Sequence, residues 1–237
     1  MLTVSVAVYN PNLKHWESFI RTLTENTPEL SQLLIIDNAS DVEHKIIISE
    51  IVNKYCPDIT TLIINDENVG FGSAHNQVLP LVKNSFLAIV NDDVEFISVW
   101  STAILKEFEN PNVAQVSVKP GQCNMLKEDG GGQYIDDLLH PEYCEGSLFI
   151  IRTDIAREVG MFDEIYGLAY FEDSDLSLRI RKAGWELRSV RINWVHHAHE
   201  TFYRIGEEQL NELKGKNKQI FLKRWGNYLN TKSFENV

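Results

Sequence analysis

Three acidic groupings and one histidine cluster are the residues of this chain whose types and spacing can do chemistry. Asn91-Asp92-Asp93 follows directly on the apolar run Phe86-Leu87-Ala88-Ile89-Val90. Two adjacent carboxylates at a strand end repel each other and gain little from capping a helix. A divalent cation is therefore a reasonable stabiliser of the pair, with a polar turn as the plainer alternative. Asp37-Asn38-Ala39-Ser40-Asp41 stands where a strand hands over to a helix. By itself it reads as an N-cap cluster, although a carboxylate there could also accept hydrogen bonds from a base N–H or a ribose hydroxyl. Phe171-Glu172-Asp173-Ser174-Asp175-Leu176 opens a further helix. Acids in a first turn ordinarily answer the helix dipole, which accounts for one or two of these three. An aspartate so placed, facing a crevice, suits the general base for a hydroxyl nucleophile.

In Trp194-Val195-His196-His197-Ala198-His199 three histidines crowd the end of a strand. Alternation puts His197 and His199 on one face and His196 on the other. Neutral imidazole is a common ligand of transition metals, so one of the three could complete a site begun by Asp93; for any single histidine, a core or surface role is the plainer reading. Asn68-Val69-Gly70-Phe71-Gly72-Ser73-Ala74-His75-Asn76 adds glycines that allow close backbone approach and a helix start whose free N–H groups favour phosphate or sugar oxygens. A tight turn explains the glycines equally well. Tyr134, Tyr143, Trp185 and Trp194 are candidates for stacking on sugar faces, against the commoner fate of aromatic residues as core.

The elements that must position these residues follow from hydropathy. Strands are predicted at 4–9, 33–37, 61–64 and 86–90, and helices at 15–27, 42–55 and 72–82, which makes βαβ units on a mostly parallel sheet. The polar clusters sit at strand ends, and in open α/β sheets ligands bind beyond the carboxyl ends of strands. Later strands are predicted at 113–118, 146–152 and 188–197, with helices at 174–183 and 207–228. Segment 119–141 is a long Gly-rich stretch of the kind that forms lids or binding loops. With 237 residues the chain can bury a full core in one large α/β unit. Its formal net charge of −12 argues against a nucleic-acid groove or an anionic-membrane patch as main partner, since both need clustered positive charge. Cys56, Cys123 and Cys144 are odd in number and lie in no C-x-x-C spacing, so a reducing cytoplasm is expected. The opening run Met1-Leu2-Thr3-Val4-Ser5-Val6-Ala7-Val8 has no basic leader and is too short an apolar run for a signal peptide or a membrane span.

Taken together, Val6-Ala7-Val8-Tyr9-Asn10, Ile35-Ile36-Asp37-Asn38-Ala39-Ser40, Asn68-Val69-Gly70-Phe71-Gly72, Asn91-Asp92-Asp93, Glu145-Gly146-Ser147, Gly160-Met161-Phe162-Asp163-Glu164 and Glu172-Asp173-Ser174-Asp175-Leu176 resemble glycosyltransferase family 2 in order and spacing. The resemblance runs from Val4 to about Thr201, and the stretch from Asn68 to Asn76 is most similar to bacterial rhamnosyltransferase-like members that build surface polysaccharides. It implies an A-type nucleotide-sugar fold: a Rossmann-like, mostly parallel central sheet flanked by helices, with a smaller mixed acceptor-side part. It also implies an inverting transfer with a divalent metal, Mn²⁺ or Mg²⁺. Asp37 matches the acid that reads the base, and Asn10 lies in the turn lining the same pocket, so Val8, Asn10, Asp37, Asn38, Asn68, Gly70, Asn76, Asn91 and Asp92 are expected to bind the nucleotide sugar. Asp93 matches the metal-binding acid, with His197 and His199 as its imidazole partners, and Asp173 matches the base, beside Glu172. Asn91 stands where the family's Asp-x-Asp motif has its first acid, which makes the metal more dependent on other ligands.

A single domain over 1–237 is expected, with a nucleotide-sugar-binding half at 1–118, an acceptor and catalytic half at 119–203 and a C-terminal helical segment at 204–237. The implied partners are a nucleotide diphosphate sugar, of dTDP-rhamnose or UDP-sugar type, and a saccharide or lipid-linked saccharide acceptor. A cytoplasmic location at the inner face of the cell membrane, peripheral membrane association and a homo-oligomer are compatible with this reading. The competing readings are a catalytically silent nucleotide-sugar scaffold and a sugar nucleotidyltransferase. The latter ordinarily carries a Gly-rich, basic phosphate loop that Tyr9-Asn10-Pro11-Asn12-Leu13 does not offer.

Overall fold

The computed structural model describes residues 1–122, 133–134, 137–197, 206–235 and 237. The chain opens with β1 (Leu2–Val8), α1 (Leu13–Asn26), β2 (Leu30–Asp37), α2 (Val42–Tyr55), β3 (Thr60–Ile64), α3 (Phe71–Val78) and β4 (Phe86–Val90). In α1 the residues Trp16, Phe19, Ile20 and Leu23 recur at helical spacing and are buried, and Asn12 caps the helix by accepting from the Lys14 and His15 amides. Asp41 caps α2 through the His44 amide at 2.9 Å. β1 lies between β2 and β4 and is parallel to both, which is why nearly every one of its residues is buried.

The second part contains β5 (Val94–Phe96), α4 (Ser101–Glu107), β6 (Val113–Ser117), β7 (Pro120–Gln122), β8 (Gln133–Tyr134), β9 (Tyr143–Cys144), β10 (Leu148–Arg152), α5 (Thr153–Val159), α6 (Glu172–Lys182), β11 (Glu186–Ser189), β12 (Trp194–His196) and α7 (Glu207–Thr231). The central sheet has seven strands in the order β11-β6-β10-β4-β1-β2-β3. β10 runs antiparallel to both β4 and β6, so the sheet is mostly parallel with one reversed strand in its middle. Apolar side chains fill both faces: Val4, Val6 and Val8 pack with Trp16 and Phe19 on one, and Leu34 and Ile36 with Ala74 and Phe162 on the other. A third cluster joins Tyr143, Tyr166, Phe171 and Leu178 to Phe221, Trp225, Tyr228 and Leu229 of α7.

The expected strand over 188–197 is in fact two strands in different sheets. β11 pairs with β6 at the edge of the large sheet, whereas β12 pairs antiparallel with β5. Hydropathy alone does not show the break, because both pieces carry alternating apolar residues. β5, α4 and α5 are absent from the sequence expectation, being too short to display a period. Segment 119–141 contributes β7 and β8, which pair with each other, while its remaining expected lid function falls largely on residues outside those described. Among the described residues no helix is long and apolar enough to cross a membrane.

Candidate active site

The carboxyl ends of β1, β2 and β3 are tied into one polar cluster. The Asn38 amide donates to the Val8 carbonyl at 2.7 Å, and Asn38 Nδ2 donates to Asn68 Oδ1 at 2.9 Å. Asn38 Oδ1 in turn accepts from Asn65 Nδ2 and from the Val69 amide. Asn10, in the left-handed region at φ 45°, donates its backbone amide to Ser40 Oγ and accepts from the Asp41 amide through its side-chain oxygen. The Asp37 carboxyl is buried and accepts from the Ser40 amide at 2.8 Å through Oδ1, while among the described residues Oδ2 has no hydrogen-bond partner. Burial leaves that oxygen as an acceptor in want of a donor, the property expected of a group that reads a polar ligand.

Gly70 closes this side, at φ 88° and against the Gly167 carbonyl, where an added Cβ would stand 2.4 Å from that oxygen. The Phe71 amide donates to the Leu168 carbonyl at 3.0 Å, so the turn at Gly70 rests directly on the segment that leads into α6. Asn76 differs from the rest of its expected group. Its amide is engaged at both ends by the Phe162 backbone and also reaches Glu164 Oε1, so it fastens α3 to the segment after α5.

At the end of β4, the Asn91 amide donates to the Ser147 carbonyl at 2.9 Å. The next residue back, Gly146, gives its amide to Asp173 Oδ2 at 3.0 Å, and the Ser174 amide holds Asp173 Oδ1 at 2.6 Å. Asp173 is thus suspended one peptide away from the strand that carries Asn91-Asp92-Asp93. Glu145 accepts from the Ser147 amide and hydroxyl and lies 3.7 Å from Lys119 Nζ. Lys119 Nζ stands 2.7 Å from His196 Nδ1 and 5.0 Å above the Trp194 ring. His196 Nε2 is 3.2 Å from Asp93 Oδ1. An unbroken series of contacts therefore runs from Asp93 through His196, Lys119, Glu145 and Gly146 to Asp173.

Electrostatics distinguish the acids. Burial and the negative charge of Glu145 hold the Asp173 carboxyl above the ordinary carboxylate range, at about 6. Glu172, buried and close to Asp173, is pushed higher still, and among the described residues its Oε2 has no hydrogen-bond partner. Asp175 is fully buried and meets donors throughout: Tyr166 Oη, Arg179 Nε, Arg224 Nη1 and Trp225 Nε1. It is an anchor between α6 and α7.

Of the histidines, His196 and not the expected His197 turns its ring to Asp93. His197 gives only its backbone amide to the Asp93 carbonyl, at 2.8 Å, while its ring stacks on His15 and its Nε2 lies 3.3 Å from Glu95. Alternation along the strand does separate the two rings, but the face that meets Asp93 is set by the pairing of β12 with β5. His199 lies outside the described residues. A divalent cation about 2.1 Å from a carboxylate oxygen and from an imidazole nitrogen is compatible with the 3.2 Å between Asp93 Oδ1 and His196 Nε2. Among the described residues no group of three or more His, Cys, Asp or Glu side chains could hold a metal ion, so such a cation would need further ligands from elsewhere. Lys119 was missed from sequence, since a lone lysine before a Gly-rich stretch carries no signal. Of the aromatic candidates, Tyr143 is buried core and Trp194 walls the site beside His196. Trp185 lines a separate hollow of about 320 Å³ with Arg181 and Arg188. The Tyr134 side chain lies outside the described residues.

The sequence model of glycosyl transferase family 2 matches residues 3–171, most of the chain. This protein belongs to glycosyl transferase family 2. Within the family it is similar to the N-acetylglucosaminyl-diphospho-decaprenol L-rhamnosyltransferase of Mycobacterium tuberculosis, 24% identical over 94% of this chain and 83% of the relative. The fold matches that of a mannosyltransferase from Pyrobaculum calidifontis in complex with GDP-Man and Mn²⁺, with a TM-score of 0.66 and 18% identity over 86% of this chain and 59% of that structure. It also matches GalNAc-T7 with UDP, GalNAc and Mn²⁺, with a TM-score of 0.65 and 15% identity over 81% of this chain and 44% of that one. The chain spans less than two thirds of both solved structures, and these likenesses establish the A-type glycosyltransferase fold. The strand-end polar clusters lie beyond the carboxyl ends of β1, β2 and β4, the place where open α/β sheets in general bind ligands.

Proposed function

We propose that this protein is an inverting glycosyltransferase that moves a sugar from a nucleotide diphosphate sugar to an acceptor hydroxyl in bacterial surface polysaccharide synthesis. The observation that carries the reading is the suspension of Asp173 from the Gly146 and Ser174 amides, one peptide from the strand end that bears Asp93. A carboxylate of pKa near 6 is ionised at neutral pH and still basic enough to take a proton as the bond forms.

In the proposed reaction the Asp173 carboxylate accepts the proton of the acceptor hydroxyl. The acceptor oxygen bonds to the anomeric carbon as the bond from that carbon to the diphosphate breaks, and the nucleoside diphosphate leaves with both electrons of that bond. Inversion follows from a single in-line displacement. Asp93 and His196 are the residues that would hold Mn²⁺ or Mg²⁺. Such a cation supplies Lewis-acid stabilisation of the departing diphosphate. Lys119 adds a second positive charge on the same side, and Glu145 keeps it there. Asp37, Asn38, Asn10 and Asn68 are assigned to the nucleoside, with Val8 and Gly70 shaping their backbone and Asn91 and Asp92 near the ribose or sugar.

A deoxythymidine-linked rhamnose donor and a lipid-linked saccharide acceptor are favoured by the likeness to a rhamnosyltransferase whose name specifies a decaprenol-linked acceptor. That acceptor would draw the protein to the inner face of the cell membrane. The aromatic residues Phe221, Trp225 and Tyr228 take no part in such contact, being buried within the chain.

The test is turnover of deoxythymidine- and uridine-linked sugars with Mg²⁺ or Mn²⁺. Asp173→Asn is expected to lower kcat by about 10²-fold or more while leaving donor affinity by calorimetry nearly unchanged. Full activity of the variant would remove Asp173 from the base role. A wild-type protein that binds donor yet transfers nothing would instead be a silent scaffold.

A further inference from the structure

The turn that precedes Glu172 and Asp173 has a backbone that its residues do not favour. Tyr170 and Phe171 have successive positive φ values of 74° and 76°, a region that bulky L residues rarely enter. Such a conformation persists only where the surroundings over-determine it. On one side the turn is held by the Phe71 amide through the Leu168 carbonyl. On the other it is held by a residue far along the chain. Asn217, in α7, is fully buried, and its Nδ2 donates to the carbonyls of Tyr166 at 2.6 Å, Ala169 at 2.8 Å and Tyr170 at 3.2 Å. One side-chain amide thus gathers three carbonyls of a single turn.

The helix that carries Asn217 is itself secured to α6. Arg224 bridges Asp163 at 2.7 Å and Asp175 at 2.8 Å, and the Trp225 indole N–H reaches the same Asp175 oxygen at 2.8 Å. Asp175 lies two residues beyond Asp173 on the first turn of α6. The acid therefore sits between two fastenings, one at the turn before it and one on the helix after it, and both originate in α7.

We infer that Asn217 is a positioning residue for Asp173, its amide fixing the turn over residues 166–171 and with it the direction of the Asp173 carboxylate. α7 lies outside residues 3–171, so this assigns a working role to a part of the chain beyond the matched family region. The inference rests on the proposal that Asp173 is the base. The bonds that tie Asn38 to Asn65 and Asn68 in the donor pocket do not pass through Asn217, so a loosened turn should misdirect the proton acceptor more than it disturbs donor binding, which distinguishes positioning from general support.

The experiment compares Asn217→Ala and the milder Asn217→Ser with Leu229→Ala, a buried residue of the same helix, in the full chain. The measurements are kcat, donor affinity by calorimetry and the thermal midpoint. Asn217→Ala is expected to lower kcat about 10- to 100-fold with donor affinity changed less than about twofold, as expected for a misplaced catalytic group. Asn217→Ser, which keeps one donor, should recover part of that loss, and it carries the test if the alanine variant does not fold. Leu229→Ala should lower the midpoint while keeping kcat within about twofold. The inference is overturned if folded Asn217→Ala and Asn217→Ser both keep kcat within about threefold, or if Leu229→Ala loses as much kcat at an equal loss of stability. Full activity of Asp173→Asn would overturn the base assignment instead, a result separate from any effect at Asn217.

Discussion

Glu172, Asp173 and Asp175 occupy one turn of α6, yet each carboxyl meets a different environment. Asp175 is saturated with donors, Asp173 is held by two amides beside the negative Glu145, and Glu172 is buried with one oxygen lacking a partner among the described residues. Asp173 combines fixed geometry with a carboxyl raised to about 6. Since the base must be ionised, turnover should fall as pH drops through about 6, and Glu145→Gln should move that acidic limb of the kcat profile to lower pH by removing a like charge. Glu172 has the opposite use as a probe. Its folded-state pKa is raised to about 8, so the folded chain holds a proton that the unfolded chain releases, and the associated stability is lost as pH rises from the unfolded value through about 8. Glu172→Gln should therefore raise the thermal midpoint by about 2 °C or more at pH 8 and change it little at pH 4. The histidines separate in the same way. His196→Ala should weaken Mn²⁺-dependent donor binding, read by calorimetry with and without chelator. His197→Ala, which removes the stack on His15, should lower the midpoint and leave that dependence intact.

Turns rather than helices and strands carry the coupling between the two sides of the site. The turn at Gly70 meets the proposed donor pocket through Asn38 and Asn68, and the segment leading to Asp173 through its packing on Gly167 and Leu168. Gly70→Ala meets a positive φ that costs about 1–3 kcal/mol and a carbonyl oxygen at 2.4 Å from the new Cβ. The expected result is a lower midpoint together with losses in both donor affinity and kcat, in contrast to the selective losses at Asp173 and Asn217. Phe86–Val90 and Val42–Tyr55 coincide with the predicted spans, whereas the three-residue β5 and seven-residue α4 and α5 offer too few positions for a period to emerge.

For the molecule as a whole, α7 completes the third apolar cluster by packing on the segments around β9 and α6. Phe221, Trp225 and Tyr228 are buried against Tyr143, Tyr166, Phe171 and Leu178, which settles the role of these aromatic side chains as internal packing. Truncation after residue 205 would uncover that apolar surface and remove every donor that α7 gives to Asp175 and to the turn before Asp173. The shortened chain is expected to lose near-ultraviolet circular dichroism and to bind a hydrophobic dye, while retaining much of its far-ultraviolet signal.

The sequence by itself determined the order of strands and helices from β1 to β4, and through it the gathering of Asn10, Asp37 and Asn91-Asp92-Asp93 at strand ends. Parallel βαβ units place successive carboxyl ends along one edge, so periodicity is enough to bring those residues to a common side. Tertiary structure alone decided that His196 rather than His197 turns to Asp93, that Lys119 joins them, and that Asn217 holds the turn before Asp173. Each of these depends on how short, irregular segments far apart in the chain dock against one another, and side-chain direction in such segments is set by packing partners that no local pattern encodes.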